Sequence, residues 1–275
     1  KGTYPKILSN KKYGKQAKEL FEDAKTFLKD IIENKRFKPK STIGIWKANS
    51  IGDDVQVYDS EKVKETFHFL RQQKINNNSE PSFCLSDFIA PKDTGVVDYI
   101  GGFVVTMGQD VEAYAKLFKD KHDDYSAILI KALGDRMAEA FAELMHQKAR
   151  HLFNPNLKED FSKADLIKEK YHGIRPAHGY PACPDHTEKL TLWRLLDAQK
   201  VTGASLTSSM AMNPPSSVSG LYFFNEKSKY FNIGLINEDQ IADYAKRKKY
   251  SKTDLERWLS SSLGYRPKKE KNSLA

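Results

Sequence analysis

Residues 173–189, with the sequence GIRPAHGYPACPDHTEK, bring three prolines, two glycines, two histidines and one cysteine together with several charged side chains. Such a stretch could bind a metal, supply a nucleophile or form a rigid frame around a ligand. Zinc at Cys183, Asp185 and His186 would need a fourth ligand, and structural zinc sites commonly use two spaced pairs of ligands. A nucleophilic Cys183 would need a nearby base and an exposed electropositive setting, which no sequence pattern here indicates.

A ligand frame explains more of these residues. The prolines fix φ and remove amide donors, while Gly173 and Gly179 permit tight turns and the close approach of another backbone. Arg175 offers a planar fork of donors that suits a carboxylate, and Tyr180 offers a flat ring and a hydroxyl. An amino acid that carries an adenine group would need these features. The sequence therefore predicts a stiff ligand-binding loop.

Acidic side chains and histidines also occur at helical spacing elsewhere. Glu143 and His146 form an E-x-x-H pair, and Glu65 and His68 form another, as in the ligand pairs of di-iron helical bundles. A di-iron site needs carboxylates from two further helices, and this chain is predicted to place strands between its helices. A solvated charged face that also includes Glu139 is therefore favoured. No G-x-S-x-G elbow indicates a serine hydrolase.

Hydrophobic spacing predicts the elements that must position these residues. Apolar residues recur every three or four positions from Gly14 to Asn34 and from Tyr125 to Met145, which is typical of amphipathic helices. Strands are predicted at Thr42–Trp46, at Asp54–Tyr58 after a turn that contains glycine and aspartate, and at 98–107. Residues 61–74 are predicted to form a helix or a mixture of strand and helix.

The C-terminal half is predicted to mix helices with a hairpin. Asp185 and Glu188 have the spacing of a capping box before a helix, and Asn237 and Ser251 mark the starts of two short helices. The runs SSVSGLYFF and SKYFNIGLI, joined by NEKS, predict the hairpin. The fold class is therefore predicted to be α+β, with a twisted, largely antiparallel sheet, a long core helix and flanking helices.

Composition bounds the class of protein. The chain has 275 residues, of which 39% are hydrophobic and 29% are charged, as in globular proteins with a substantial core. No apolar run approaches the roughly 20 residues of a membrane-spanning helix. Two cysteines in a chain of this length predict reduced thiols and a cytoplasmic location. The start at Lys1 without a charged and apolar leader predicts a piece of a longer polypeptide.

The net charge is +9, from 45 Lys and Arg against 36 Asp and Glu. Basic residues are concentrated in KRFKPK at 35–40 and in RPKKEK at 266–271. Solvated loops are the favoured interpretation, although such a field would attract an acidic protein or nucleic acid. No basic groove with interleaved aromatic residues accompanies the lysines. Neither nucleic acid nor a membrane is therefore predicted as a partner.

The loop at 173–189 resembles the signature loop of the C-terminal, S-adenosylmethionine-binding activation domain of cobalamin-dependent methionine synthase, whose core reads R-P-A-P-G-Y-P. Other segments resemble that family in the same order: DYIGGFVVT, HDDYSAILIKALGDRMAEAFAELMH, SVSGLYFF with SKYF, DQIADYAKRK and ERWLSSSLGY. The resemblance covers residues 1–265, which are predicted to form the activation domain. Residues 266–275 are predicted to form a basic C-terminal tail.

The resemblance implies an accessory function in a modular enzyme that methylates homocysteine with methyltetrahydrofolate. When the cobalt of cobalamin is oxidised, domains of this family present S-adenosylmethionine to cob(II)alamin, and an electron from flavodoxin or a flavodoxin-like reductase permits methyl transfer. The expected partners are that reductase and the cobalamin-binding module, which is expected to make most contacts with cobalamin. The isolated piece is not expected to be a catalytically complete methyltransferase.

The cofactor-binding residues that the resemblance implies are Arg175, Ala177, Gly179, Tyr180, Tyr230, Phe231, Glu139 and Glu169. Arg175 matches the arginine that holds the ligand's carboxylate. Tyr230 and Phe231 match an aromatic pair at the border of the ligand, and the family often has tyrosine at both positions. Glu139 and Glu169 match acidic positions that face the cofactor. No catalytic residue and no metal ligand are implied.

This sequence departs from the family pattern in three ways. His178 replaces a proline, which is expected to loosen the loop and to add a titratable group at the edge of the ligand. Phe231 lacks the hydroxyl of the usual tyrosine. In the family more residues precede KYP, including an aspartate at the ligand's amino group. This chain begins KGTYP, and weaker binding of S-adenosylmethionine is expected without that aspartate.

Two other functions stay open at this point: a self-contained S-adenosylmethionine-dependent methyltransferase and a basic nucleic-acid-binding module. No glycine-rich loop after a first strand supports a Rossmann-type methyltransferase. Nucleic-acid binding would require an affinity that falls steeply with salt. The net charge of +9 also suits flavodoxins, which are acidic, because a basic surface accelerates the docking of an acidic partner.

Overall fold

The computed structural model describes residues 3–73 and 81–267. The α-helices in this part are α1 (Gly14–Glu33), α2 (Asp110–Lys119), α3 (Asp124–Phe153), α4 (Lys163–Ile167), α5 (Lys189–Leu196), α6 (Ala198–Thr202), α7 (Glu238–Lys248) and α8 (Lys252–Trp258). The strands are β1 (Lys40–Ile51), β2 (Asp54–Asp59), β3 (Lys62–His68), β4 (Asp98–Thr106), β5 (Ser205–Leu206), β6 (Met212–Asn213) and β7 (Ser217–Tyr222). The predicted tail at 266–275 lies outside the described residues from residue 268 onward.

Helices α1 and α3 confirm the two predicted amphipathic helices. The buried face of α3 differs from the predicted one, because it consists largely of small residues. Ala138, Ala142 and Ala149 are fully buried, whereas Ile128 is 68% exposed and Tyr125 is 53% exposed. Alanines let neighbouring elements approach a helix axis closely. A pattern drawn through the largest apolar residues therefore placed the centre of the buried face on the wrong side of the helix.

The main sheet has the strand order β3-β2-β1-β4-β7. Strands β1 and β2 are antiparallel and pair Ile51 with Asp54, and Gly52 in the tight turn between them has φ +57°, a conformation that favours glycine. Residues 62–68 form strand β3, which pairs antiparallel with β2 and sets Val55 opposite Phe67. The predicted helical part of this segment was wrong, because β-branched and aromatic side chains fit the pleated edge better.

The predicted hairpin at 216–236 was also wrong. Its first run forms β7, but its second run forms no strand. The amide of Ile233 instead donates to the carbonyl of Pro181 at 3.0 Å, and the amide of Ile236 donates to that of Ser262 at 2.8 Å. The second run therefore joins the proline-rich loop to the C-terminal segment. Helices α7 and α8 confirm the two predicted C-terminal helices, and the side chain of Ser251 caps α8.

Contacts divide the chain into two compact units, and neither is continuous in sequence. The first contains residues 1–41, 105–142 and 202–218, and the second contains residues 42–104, 143–201 and 219–275. One core cluster, in the first unit, includes Ile31, Met107, Val111 and Ile130. Another, in the second unit, includes Ile233, Ile236, Ile241, Tyr244 and Leu255. The loop at 173–189 belongs to the second unit.

The start of this loop is built onto β7. Ile174 and Phe223 exchange two backbone hydrogen bonds of 3.0 Å, and the amide of Leu221 donates to the carbonyl of Pro176 at 3.0 Å. A Cβ atom on Gly220 would lie 2.8 Å from that carbonyl oxygen, so the close approach requires glycine here. Arg175 is therefore held in an extended backbone beside the end of the sheet.

The end of the loop is fixed by a buried ammonium group. Nζ of Lys248 lies 2.7 Å from Oδ2 of Asp185 and also pairs with Glu188, and the three side chains are 4%, 2% and 2% exposed. The hydroxyl of Tyr244 donates to Asp185 at 2.8 Å. Asp185 accepts from the amide of Thr187 as predicted for a cap, but Glu188 accepts from the amide of His68. Only half of the predicted capping box therefore forms.

In the middle of the loop His178 is buried, whereas Gly179, Tyr180 and Pro181 are exposed. His178 is 2% exposed and its ring stacks on Phe67 with centroids 6.2 Å apart. Burial, reinforced by the charge of Lys189, lowers the pKa of His178 to about 3. The expectation that His178 loosens the loop and titrates at the ligand's edge was wrong, because its ring packs into the interior as a neutral group.

We expect Lys248→Met to lower the free energy of unfolding by about 3 kcal/mol, because two carboxylates would stay buried without their cation. Urea denaturation at neutral pH measures this change. Lys246→Met is the matched control, since Lys246 is exposed on the same helix and its replacement should change stability by less than about 0.5 kcal/mol. A loss below about 1 kcal/mol for Lys248→Met would contradict the role of this cation.

We expect the buried His178 to destabilise the fold in mild acid. An unfolded histidine binds a proton below about pH 6.5, whereas folded His178 stays neutral down to a pKa of about 3. The unfolded state therefore binds more protons in this window, and stability falls as the pH drops. From about pH 7.5 to about pH 5, this histidine should remove about 2 kcal/mol.

Urea denaturation of the wild-type chain and of His178→Leu at both pH values isolates this contribution. The variant should lose about 2 kcal/mol less than the wild type over the same interval. Equal losses would mean that the folded protein protonates His178 as readily as the unfolded chain does.

Candidate functional site

Arg175 points its guanidinium toward side chains of helix α3 and of the segment before the loop. Its Nη1 atom lies 2.5 Å from Oε2 of Glu143, and the two side chains are 18% and 22% exposed. The same Nη1 atom donates to the hydroxyl of Tyr171 at 2.7 Å and lies 3.5 Å from Nδ1 of His146. One side of the guanidinium is thus tied to three polar groups.

An aromatic wall stands behind this contact. The ring of His146 is fully buried and stacks on Tyr222 with centroids 4.9 Å apart and planes 5° apart. It meets the ring of Tyr171 edge to face, also at 4.9 Å. Burial, followed by the charges of Arg150 and Arg175, lowers the pKa of His146 to about 2. The imidazole is therefore neutral and accepts the Arg175 contact at Nδ1.

Tyr171 is held from its other face by a second arginine. The guanidinium of Arg150 lies 4.0 Å from the centre of the Tyr171 ring. Arg150 in turn forms a two-pronged ion pair with Glu159, with contacts of 2.6 and 2.8 Å and both side chains at most 4% exposed. Paired, buried arginines of this kind hold a fixed plane. The ring and hydroxyl of Tyr171 therefore have little freedom.

Tyr230 joins the site from the second run of the expected hairpin. Its hydroxyl accepts from the backbone amide of Arg175 at 3.1 Å, while 46% of the residue is exposed. Burial of the hydroxyl, together with the carboxylate of Glu169, raises the pKa of Tyr230. The structure thus brings Arg175 and Tyr230 into contact and places Glu169 within electrostatic reach.

Three other residues implied by the resemblance lie in one turn of the loop, and a fourth packs on another aromatic ring. Ala177 accepts from the amide of Tyr180 at 3.3 Å, and Tyr180 is 64% exposed at the tip of this turn. Gly179 has φ +93°, and a Cβ atom there would lie 2.0 Å from the ring of His186. Phe231 packs on Phe83 with centroids 5.9 Å apart.

Glu139 is exposed on α3 and belongs to the first unit. The sequence favoured a solvated face that contains Glu139, Glu143 and His146. For Glu143 and His146 this interpretation was wrong, because His146 is fully buried and Glu143 is ion-paired with Arg175. The sequence showed the E-x-x-H spacing of Glu143 and His146 but not their partner. Tyr171 and Tyr222 were missed entirely, and only their aromatic character could have drawn attention to them.

The metal and thiol alternatives find no support in the geometry. In residues 3–73 and 81–267, no group of three or more His, Cys, Asp or Glu side chains is placed to hold a metal ion. Asp185 is occupied by Lys248, and both Cys84 and Cys183 are free and buried. Burial raises the pKa of the Cys183 thiol well above its ordinary value, which disfavours the nucleophilic thiolate. Within the same residues, no helix is both long and apolar enough to span a bilayer.

The arrangement can bind a carboxylate. Arg175 engages the protein through Nη1, while its Nε and Nη2 atoms have no hydrogen-bond partner in the described part of the chain. An Nε–Nη2 edge presents two parallel donors, which is the geometry of two-pronged carboxylate recognition. Tyr230, whose hydroxyl contacts the backbone amide of Arg175, is partly exposed and can offer an apolar ring surface to a ligand.

Comparison with known proteins shows the family of this chain. Residues 1–249 match the family model for the activation domain of vitamin B12 dependent methionine synthase. A solved crystal structure of the MetH reactivation domain bound to AdoHcy is similar to this chain, with a TM-score of 0.92 and 47% sequence identity. The similarity covers 97% of this chain and 83% of that chain. It confirms the predicted α+β fold, and the chain belongs to the activation-domain family of vitamin B12-dependent methionine synthase.

Proposed function

We propose that this chain binds S-adenosylmethionine and presents its methyl group to oxidised cob(II)alamin in the cobalamin-binding module of methionine synthase. The observation that supports this most directly is that the Nε–Nη2 edge of Arg175 has no hydrogen-bond partner among the described residues, while the hydroxyl of Tyr230 contacts the Arg175 backbone. The similar reactivation domain is bound to AdoHcy, which has the same amino-acid and adenosine groups as S-adenosylmethionine and lacks only the transferred methyl group.

Each part of the site has a defined task in this proposal. Arg175 binds the carboxylate, and the hydroxyl of Tyr230 fixes the backbone from which Arg175 extends. Tyr180, Gly179 and Ala177 form the turn beside the ligand, and Phe231 borders the ligand together with Tyr230. S-adenosylmethionine, when bound, supplies an activated methyl group on a sulfonium. Fixing its amino-acid end limits where that group can lie, and such orientation is worth several kcal/mol in a transfer reaction.

Glu169 and Glu139 are proposed to face the cofactor side, where a carboxylate favours a neighbouring sulfonium. The chain supplies binding and orientation rather than a catalytic side chain. It is therefore expected to be inactive without the cobalamin-binding module and without an electron from flavodoxin or a flavodoxin-like reductase. A cytoplasmic location is proposed because both cysteines are free thiols, which a reducing compartment preserves.

We expect Arg175→Ala to weaken the binding of AdoHcy and S-adenosylmethionine at least about thirtyfold, because hydrogen bonds to a charged group contribute about 1.5–3 kcal/mol. Isothermal titration calorimetry of both ligands measures the change. Lys148→Ala, an exposed substitution on α3, should bind like the wild type. Unchanged affinity in Arg175→Ala would show that Arg175 does not bind the carboxylate. A wild-type chain that binds neither ligand would refute the proposal.

We expect association with flavodoxin to slow as salt rises. The chain has a net charge of +9, and a flavodoxin is acidic, so long-range attraction should accelerate their encounter at low ionic strength. Raising salt from about 20 mM to about 200 mM should lower the association rate constant about tenfold by screening. Stopped-flow mixing with the fluorescent flavin as reporter measures this rate. A rate constant independent of salt would exclude electrostatic steering.

A further inference from the structure

The anchored side of Arg175 is a connected set of polar contacts. The hydroxyl of Tyr171 accepts from Nη1 of Arg175 at 2.7 Å and lies 3.4 Å from Oε2 of Glu143, the same oxygen that pairs with Nη1. His146 completes the set as a neutral ring, so it brings no second positive charge to compete for Glu143. The orientation of the guanidinium is therefore determined by two side chains, Glu143 and Tyr171.

These two side chains are themselves immobilised. Glu143 extends from the 30-residue helix α3, one turn before the buried ring of His146. Tyr171 is 7% exposed and is enclosed by the guanidinium of Arg150 on its face and by the edge of His146. Binding groups that rest on packed helices and buried rings keep their geometry better than groups supported only by a loop.

A long arginine side chain loses rotamer freedom when it clamps a ligand, and this loss weakens binding. Here the guanidinium is ordered by Glu143 and Tyr171 before any ligand arrives. The side that they leave unpaired, Nε and Nη2, is the side that can form two parallel hydrogen bonds with a carboxylate. The pre-ordering should therefore favour ligands that possess a free carboxylate over those that lack one.

We propose that Glu143 and Tyr171 are positioning residues that orient Arg175 and make the site selective for the carboxylate of the bound amino acid. This inference rests on the proposed function, in which Arg175 binds that carboxylate. Neither residue contacts the ligand in this scheme, so the effect of replacing them should depend on whether the ligand has a carboxylate at all.

Two ligands distinguish positioning from general damage to the site. AdoHcy carries the carboxylate, whereas 5′-methylthioadenosine has the same adenosine and a thioether sulfur but no amino-acid group. Ligand-observed NMR titration of each into the 275-residue chain reaches millimolar dissociation constants. We expect Tyr171→Phe and Glu143→Ala to weaken AdoHcy binding about tenfold and 5′-methylthioadenosine binding less than about twofold.

Glu143→Gln is the conservative variant, because its amide oxygen can still accept from Nη1 and from Tyr171. It should recover part of the affinity for AdoHcy that Glu143→Ala loses, whereas Glu143→Met, which has a similar size but no oxygen acceptor, should not if Glu143 acts through its hydrogen bonds. Lys148→Ala, on the exposed side of the same helix, should leave both affinities unchanged. If 5′-methylthioadenosine binds none of the proteins measurably, the comparison of Glu143→Gln with Glu143→Met decides the question, and equal AdoHcy affinities in these two variants would overturn the inference.

Several results would overturn the inference. Equal losses of affinity for both ligands would indicate general damage to the site. Unchanged AdoHcy binding in Tyr171→Phe and Glu143→Ala would show that these side chains do not position Arg175. Tighter AdoHcy binding in Glu143→Ala would make Glu143 a competitor of the ligand for the guanidinium. Failure of the wild-type chain to bind AdoHcy would instead refute the proposed function, so the two failures can be told apart.

Discussion

A half-buried guanidinium must be paired by the protein, and in the proposed function it must also keep two donors free for the ligand. Arg175 meets this constraint because one carboxylate, one phenol and one neutral imidazole all converge on a single nitrogen. A second cation in the place of His146 would repel Arg175 and draw Glu143 away. The deep burial of His146, which lowers its pKa, is therefore part of how the arginine is stabilised, although the imidazole itself makes only a long contact.

The loop that bears Arg175 is fixed at both ends by different interactions. Backbone pairing with β7 holds its start, where Ile174 and Pro176 bond to the last strand of the sheet. Its end is held by charge, through the ammonium of Lys248 between Asp185 and Glu188. Between them, His178 packs into the interior, while the turn at Gly179 and Tyr180 is exposed. Backbone pairing in a sheet depends little on pH. The ion cluster, in contrast, requires the ammonium of Lys248 and the two carboxylates to stay charged, so the two ends of the loop respond differently to pH.

Much of the fold follows from local sequence signals, and the failures have physical causes. Helix α1, helix α3 and the β1–β2 turn follow from periodicity and from the left-handed turn at Gly52. Residues 228–236 were expected to pair with β7, but their amides found partners in Pro181 and Ser262, which no local pattern encodes. Segment 62–68 has mixed propensity, and its partner strand decided its structure.

The site was only partly predictable, because some of its contacts join residues that are far apart in the sequence. Arg175 and Tyr230 could be named from a family resemblance, and the structure brings them into contact, while their role at a ligand stays a prediction. Glu143 and His146 were noticed for their spacing but interpreted as a metal pair or a solvated face. Their actual partner is 32 and 29 residues away, and a single sequence contains no signal for contacts at that separation. Whether Glu143 and His146 are buried distinguishes a metal pair, a solvated face and a support for Arg175. Burial is a property of the folded chain and cannot be read from one sequence.

The position of Lys248 in the chain has a consequence for synthesis. Asp185 and Glu188 leave the ribosome about sixty residues before the cation that neutralises them, and translation adds roughly 5–20 residues each second. For several seconds the nascent loop therefore carries two carboxylates that cannot be buried. The loop at 173–189 can reach its native structure only once α7 has emerged, so this loop is completed about sixty residues after its own last residue has been added.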